Sequence, residues 1–265
     1  MDNINENKRA YDFLANEYDE WQDFSTNHLP KLWAEFLNRT YLQFLANKDL
    51  ENESRQALDL GAGTAEVSIN LSKLGWQVLA VDNSQKMLAT AETKLKAQNI
   101  KSVETKLADI SKMDLNRKFD LIYTSLDVFN HLDKEQLKAT LKNLRPLFKD
   151  TTVLIFDLHS FEYMNTVLAD NLYYEIEADS VLLWQNDFSK ESLVNRSSLI
   201  KFTKAKDSEL YKRQDFTINE YYHEIDKLKA YLETLGLKSQ SLNNDEFIEL
   251  WQGNRDFIVA YKKGE

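Results

Sequence analysis

The sequence predicts an α/β protein built on a doubly wound, mostly parallel sheet that carries an antiparallel β insertion. Between residues 55 and 160, short apolar runs alternate with amphipathic helical segments, which is typical of parallel sheets. Between residues 160 and 220 this alternation stops, and longer segments rich in aromatic and β-branched residues favour antiparallel strands. The 265 residues, of which 43% are hydrophobic, suffice to bury such a core.

Two helices are predicted before the sheet begins. An amphipathic helix is expected over residues 7–24, where Tyr11, Tyr18 and Trp21 recur at helical spacings. A second helix follows Pro30, because proline suits the first turn of a helix.

The strands and helices of the sheet then follow one another along the chain. The predicted strands are QALDL, QVLAVD, VETKLAD, FDLIYTS and TTVLIFDLH. Helices are predicted from about Thr64 to Leu74, after the N-cap residue Ser84, and over DKEQLKATLKNLRPLF.

The insertion is expected to contain the strands in NLYYEIEADSVLLWQNDF, SLVNRSSLIKFTKA and ELYKRQDFTINEY. A helix with Gly236 as its C-cap and one or two closing strands complete the main sheet. The predicted organisation is therefore a helical lid over 1–50, a sheet domain over 51–160 and 220–265, and a β-rich cap over 161–219.

Composition excludes several classes of function. A net charge of −10 argues against nucleic acid as a partner, because affinity for phosphates rests on clustered Lys and Arg. Without cysteine the chain has no thiolate nucleophile and no Cys-based zinc site, and we predict no metal site. The polar N-terminus and the lack of a long apolar run predict a cytoplasmic protein without a membrane span.

The stretch ALDLGAGTAEV, residues 57–67, predicts a ligand loop. In parallel sheets, ligands bind beyond the carboxyl ends of the strands, where glycines let backbone amides approach them. Three acids, Asp59, Asp82 and Asp109, end the first three predicted strands, so we expect their side chains in the same crevice.

The acids of this loop region indicate which ligand it binds. Glu66 stands where a dinucleotide loop needs Gly or Ala beside the pyrophosphate, so a pyrophosphate is electrostatically disfavoured. Asp59 suits an ammonium group, and an acid after the second strand suits ribose hydroxyls. S-adenosylmethionine (SAM) combines a ribose, an adenine and a cationic amino-acid end.

The segments ALDLGAGTA, VLAVDNSQKML, KLADI and FDLIYTSLDVFNHL resemble successive motifs of the class I SAM-dependent methyltransferases. The resemblance covers roughly residues 55–160 and implies a seven-stranded Rossmann-like sheet. It also implies the cofactor contacts: the loop Gly61, Ala62 and Gly63 around the methionine moiety, Asp82 at the ribose, Asp109 at the adenine amino group, Asn83, Met87 and Ile110 around the adenine, and Ser125 and Leu126 at the methionine end.

Three further features bear on this resemblance. Ala65 replaces the usual third loop glycine, which is compatible with the loop if its φ is negative. The N-terminal YDFLANEYDEW resembles a lid helix of small-molecule members, which gives Tyr18 a place over the sulfonium. The insertion resembles that of members that methylate amino groups of small molecules, so Trp184 and the pair Tyr173–Tyr174 are candidates for an acceptor pocket.

The catalytic residues are less clearly indicated than the cofactor site. Methyl transfer from a sulfonium mainly requires alignment, and a base helps only where the acceptor loses a proton. His131 and His159, which follow the fourth and fifth strands, are the candidates.

We expect a small-molecule acceptor methylated on nitrogen or oxygen. A tRNA nucleoside methyltransferase, an NAD(P)-dependent oxidoreductase and a non-catalytic SAM-binding module remain alternatives, and the oligomeric state is open.

Overall fold

The computed structural model describes residues 3–15, 17–19, 28–45, 55–243 and 245–263. Eleven strands lie within these residues: β1 (Arg55–Leu60), β2 (Trp76–Asp82), β3 (Val103–Leu107), β4 (Phe119–Tyr123), β5 (Phe148–His159), β6 (Leu172–Ile176), β7 (Ser180–Ser189), β8 (Val194–Lys204), β9 (Tyr211–Tyr221), β10 (Leu237–Leu242) and β11 (Arg255–Lys262).

Seven of these strands form one sheet in the order β10-β11-β5-β4-β1-β2-β3. The five strands β1 to β5 run parallel to one another, whereas β11 is antiparallel to both β5 and β10. The chain order reverses at β1, and such a switch point is where ligands bind in open parallel sheets. The predicted mostly parallel seven-stranded sheet is confirmed.

Seven α-helices lie within the described ranges: α1 (Asn3–Leu14), α2 (Leu29–Leu45), α3 (Glu66–Ser72), α4 (Gln85–Ala97), α5 (Lys134–Leu144), α6 (Ile225–Thr234) and α7 (Glu246–Glu249). A 3₁₀-helix spans Val128–His131, and a π-helix spans Tyr163–Leu168. None of the helices in the described ranges combines the length and the apolar character needed to cross a bilayer.

Successive residues of a strand point to opposite faces of the main sheet, and helices bury both faces. Ala57 of β1 packs with Trp33 and Trp76 in the core under α2, α3 and α4. Leu58, the next residue, packs with Phe129 and Leu232 in the core under α5 and α6.

The strands β6 to β9 form a separate four-stranded antiparallel sheet, which we call the cap sheet. Leu199 and Ile218 of this sheet pack against Leu14 of α1, and Phe13 stacks on Phe216 with ring centroids 4.4 Å apart. Helix α1 therefore fixes the cap sheet against the rest of the protein.

Some element boundaries differ from the predictions. The helix expected over 7–24 begins at Asn3 and ends at Leu14, and Trp21 lies outside the described residues. Ser84 is the predicted N-cap of α4, since its Oγ accepts a hydrogen bond from the Met87 amide at 3.1 Å. Gly236 follows α6 with φ +73°, the left-handed conformation that glycine supplies at helix ends.

Candidate active site

The loop after β1 depends on glycine at two positions. Gly61 has φ +71°, and a Cβ there would lie 2.5 Å from Cγ1 of Val128. Gly63 has φ +55°, and a Cβ there would project toward the Tyr18 ring, 4.0 Å away. The Gly61 amide donates to the Val81 carbonyl at 2.8 Å, which ties the loop to the end of β2. The loop therefore presents bare backbone to the space beneath Tyr18.

Ala65 corrects one expectation about this loop. A negative φ was the condition under which alanine fits, but Ala65 has φ +62° and lies fully buried at the N-cap of α3. A left-handed alanine places its Cβ close to the following carbonyl oxygen, so this residue stores backbone strain.

Two strand-end acids are held by hydrogen bonds. Asp82 accepts the Gly63 amide at 2.8 Å and the Ser84 amide at 2.7 Å. Asp109, two residues beyond the end of β3, accepts the Ser111 amide and hydroxyl at 2.9 and 2.6 Å. An ionised carboxylate offers about four acceptor positions, so each acid retains capacity for a ligand.

These groups lie together in one cavity, which we call the glycine-loop cleft. Eleven of the twelve predicted cofactor residues line it, namely Tyr18, Gly61, Ala62, Gly63, Asp82, Asn83, Met87, Asp109, Ile110, Ser125 and Leu126.

Asp59 is the exception, and its placement corrects the prediction. It is 1% exposed and points under α3, where Ser68 donates to Oδ2 at 2.6 Å and Oδ1 has no hydrogen-bond partner. Burial raises the pKa of Asp59 to about 7. Asp59 shares the sheet face of Ala57, because residues two apart on a strand point the same way. It does not project into the crevice with Asp82 and Asp109.

The N-terminal segment covers the glycine-loop cleft. Asp12 of α1 accepts the Ser84 hydroxyl at 2.5 Å, and Asp19 accepts the Thr64 hydroxyl at 2.5 Å. Lys94 bridges Asp19 and Glu66, at 2.8 Å from each. These contacts hold the segment that carries Tyr18 against both α3 and α4.

A second cavity of about 610 Å³ lies between the cap sheet and the main sheet, and we call it the cap cavity. The expected aromatic residues Trp184, Tyr173 and Tyr174 are among its lining residues. Tyr11, Tyr18 and Leu126 line both this cavity and the glycine-loop cleft. The two cavities therefore meet at these three side chains.

His131, the first predicted catalytic residue, lies in the glycine-loop cleft. Its Nε2 is 2.9 Å from the Tyr11 hydroxyl, and its Nδ1 is 3.4 Å from Nδ2 of Asn7. Burial raises the pKa of Tyr11 well above its ordinary value, so the phenol keeps its proton near neutral pH. Nδ2 of Asn7 also donates to the Asn219 carbonyl at 2.9 Å, so it is a donor, and Nδ1 of His131 is its acceptor. Nε2 then carries the ring proton and donates to the Tyr11 oxygen, which fixes the orientation of that hydroxyl.

His159, the second candidate, lies in the cap cavity within a network of charges. Its Nε2 is 3.5 Å from Asp127 Oδ2 and 3.4 Å from Glu220 Oε1. Burial opposes the charged ring, but the Asp127 carboxylate outweighs it and raises the pKa of His159 to about 9. The ring is therefore a cation near neutral pH, which disfavours the role of general base.

Asp127, His159 and Glu220 each offer one ligand atom within 4.8 Å of the others, an arrangement that can hold a metal ion. Arg255 donates to Asp127 at 2.6 Å and also pairs with Asp157. The two cations His159 and Arg255 thus already lie between these carboxylates, and we treat the group as an ion-pair network.

The sequence patterns did not indicate this network or Tyr11 as site residues. Asp127, Glu220 and Arg255 come from the loop after β4, the end of β9 and the start of β11, and only the folded topology brings them together. Asp127 carried a local signal, since it directly follows the predicted residues Ser125 and Leu126.

Known proteins share this architecture and this loop. A family model described as a methyltransferase domain matches residues 57–151. A relative from Geobacillus sp. (strain WCH70), described as a methyltransferase, is 27% identical over 95% of this chain and 96% of its own length. A crystal structure of an S-adenosylmethionine-dependent methyltransferase from Clostridium acetobutylicum ATCC 824 superposes with a TM-score of 0.77 at 26% identity, covering 94% of this chain and 99% of that one. These comparisons identify the protein as a SAM-dependent methyltransferase with the class I fold.

The methyltransferase fold is also shared by the sugar N-methyltransferase KedS8 from Streptoalloteichus sp. ATCC 53650, with a TM-score of 0.73 at 17% identity over 93% of each chain. The matching family model and the structure from Clostridium acetobutylicum identify SAM as the cofactor of this methyltransferase. The alternatives of an oxidoreductase and of a non-catalytic binding module are therefore set aside.

The residues of the glycine-loop cleft are compatible with SAM. The bare backbone at Gly63 leaves room beneath Tyr18 that a Cβ would enter. Asp82 and Asp109 are acceptors of the kind that ribose hydroxyls and an adenine amino group would need, and the buried Met87 and Ile110 would offer apolar surface to a base.

Proposed function

We propose that this methyltransferase transfers the methyl group of SAM to a nitrogen or oxygen atom of a small molecule bound in the cap cavity. The observation that carries the proposal is the meeting of the two cavities at Tyr11, Tyr18 and Leu126. Because an in-line displacement needs the acceptor atom directly opposite the leaving sulfur, the methyl group must face the cavity that holds the acceptor.

The cap cavity suits a compact polar molecule with a flat or ring-shaped surface. Its aromatic side chains, among them Trp184 and Tyr163, offer faces for stacking. Asp127, Glu220 and Asn186 offer polar groups that can fix the orientation of an acceptor. The sugar acceptor named for KedS8 is a molecule of this kind.

The residues around the boundary position the cofactor and the acceptor. Bound SAM supplies an electrophilic methyl group on a positively charged sulfur. The Tyr18 ring, which lies near Gly63 in the same cleft, would stabilise this cation if its face met the sulfur. Nε2 of His131 donates to the Tyr11 oxygen, 2.9 Å away, so the Tyr11 hydroxyl can use its own proton in a hydrogen bond that orients the acceptor.

Incubation with SAM that carries a labelled methyl group and with fractionated cell metabolites tests the proposal, with mass spectrometry of the labelled product. We expect the label in a small molecule. Trp184→Ala should lower the transfer, because Trp184 lines the cap cavity. Leu210→Ala is the matched control, since Leu210 precedes β9 at 74% exposure and does not line that cavity. Label found only in RNA or protein contradicts the proposal.

A further inference from the structure

The loop after β4 has a backbone that its own sequence does not favour. Leu126 and Asp127 are consecutive non-glycine residues with φ +62° and +55°. Left-handed backbone is unfavourable for such residues and persists only where the surroundings impose it. Leu126 lines both cavities, and Ser125 lines the glycine-loop cleft, so this strained loop shapes the place where the cavities meet.

Arg255 at the start of β11 makes the contacts that impose this backbone. Its Nη2 donates to Oδ1 of Asp127 at 2.6 Å, and its Nη1 pairs with Oδ2 of Asp157. The same Asp157 oxygen accepts the backbone amide of Asp127 at 3.0 Å. One guanidinium thus fixes Asp127 twice, through its side chain and through the carboxylate that binds its amide.

Arg255 is itself held rigidly. Arg255 on β11 lies opposite His159 on β5 in the sheet. Its guanidinium lies 4.3 Å from the centre of the Trp251 ring, and its side chain is 9% exposed. The planar guanidinium fork holds two acceptors in a fixed geometry that the lysine ammonium does not reproduce.

The Asp127 carboxylate also lies close to both histidines. Its Oδ2, the oxygen that Arg255 Nη2 does not contact, lies 3.6 Å from Nε2 of His131 and 3.5 Å from Nε2 of His159. His131 lies in the glycine-loop cleft and His159 in the cap cavity. Asp127 is therefore the side chain that links the polar groups of the two cavities.

We infer that Arg255 is a positioning residue for methyl transfer: by clamping Asp127 and Asp157 it holds Leu126 and Asp127 in the left-handed conformation, and this loop receives the methionine end of SAM. Arg255 lines the cap cavity but not the glycine-loop cleft, so its effect on cofactor binding passes through Asp127.

Calorimetric titration with S-adenosylhomocysteine (SAH), the product of methyl transfer from SAM, tests this inference without any acceptor, so its outcome is independent of the proposed acceptor class. We expect Arg255→Met to weaken SAH binding at least about tenfold and Arg255→Lys to weaken it less, because lysine keeps the charge but loses the fork. Leu232→Ala, which removes a buried side chain from the core under α6, controls for general destabilisation at a temperature where all variants are folded.

A second substitution separates positioning from stability. Glycine adopts the left-handed conformation without strain, so Leu126→Gly should recover part of the SAH affinity lost in Arg255→Met. Unchanged SAH affinity in both Arg255 variants, or a loss no larger than that of Leu232→Ala, overturns the inference. Should Arg255→Met not fold, the comparison of Arg255→Lys with Leu232→Ala decides by the same criterion.

Discussion

The Tyr11 hydroxyl lies 2.9 Å from Nε2 of His131. His131 lies in the glycine-loop cleft, whereas Tyr11 lines both cavities. Burial raises the pKa of Tyr11 well above its ordinary value, so this hydroxyl keeps its proton near neutral pH. This pair therefore places one oriented hydroxyl at the boundary between the two cavities, where it can bind the acceptor.

Removal of the imidazole should therefore slow turnover without weakening the binding of SAH. We expect His131→Ala to lower kcat roughly two- to tenfold, because the Tyr11 hydroxyl loses the hydrogen bond that orients it, and such a bond contributes about 0.5–1.5 kcal/mol. Tyr11→Phe should produce a loss in the same direction. Steady-state kinetics and SAH titration check this, and equal losses in kcat and in SAH affinity would instead assign His131 to cofactor binding.

Asp82 should dominate the recognition of the ribose. A hydrogen bond to a charged group contributes about 1.5–3 kcal/mol, so Asp82→Ala should weaken SAH binding roughly ten- to a hundredfold. Part of this loss comes from the loop, because Asp82 also accepts the Gly63 amide at 2.8 Å. Asp114→Ala is the matched control, since Asp114 is exposed and does not line the glycine-loop cleft. Wild-type affinity in Asp82→Ala would refute the assignment.

Ala65→Gly should stabilise the protein. Glycine removes the strain of a left-handed alanine at φ +62°, and its greater flexibility in the unfolded chain offsets only part of that gain. We expect an increase of about 0.5–1 kcal/mol in the free energy of unfolding, measured by urea denaturation. Ala89→Gly, the same change in the interior of α4, should destabilise by about 1 kcal/mol. Destabilisation by both changes would show that the Ala65 backbone is not strained.

Asp59 should make stability fall as the pH rises from about 4 to about 7. The pKa of an unperturbed Asp is 3.8, and burial raises that of Asp59 to about 7 in the folded protein. Hydrogen bonds from Ser68 and Tyr123 oppose this rise, and the Asp82 charge adds to it. Between these values the folded state binds the extra proton, so ionisation destabilises it, by an amount on the order of a few kcal/mol.

Asp59→Asn should flatten this pH dependence and leave SAH affinity within about threefold of wild type, since Asp59 does not line the glycine-loop cleft. Urea denaturation at several pH values together with SAH titration checks both expectations. A large loss of SAH affinity would restore Asp59 to the cofactor site.

The sequence could predict that the proposed cofactor residues share one cleft, because these residues lie next to strand ends. Asp82, Asp109 and Leu126 follow apolar runs whose order fixes where they meet. The prediction for Asp59 was wrong because Asp59 lies inside β1, where the alternation of side chains between the two sheet faces directs its carboxylate under α3. Arg255 and Glu220 could not be assigned, because their roles depend on β9 and β11 meeting the loop after β4, and no local pattern encodes that meeting.

A crystal structure of the protein with SAH tests the central claim most directly, since it locates the sulfur that carries the methyl group in SAM. We expect the sulfur where Tyr11, Tyr18 and Leu126 meet, within about 6 Å of the Tyr18 ring centre, the range over which an aromatic face attracts a cation. The path from the sulfur should open into the cap cavity. A sulfur that faces away from the cap cavity, or lies outside the glycine-loop cleft, would contradict the account.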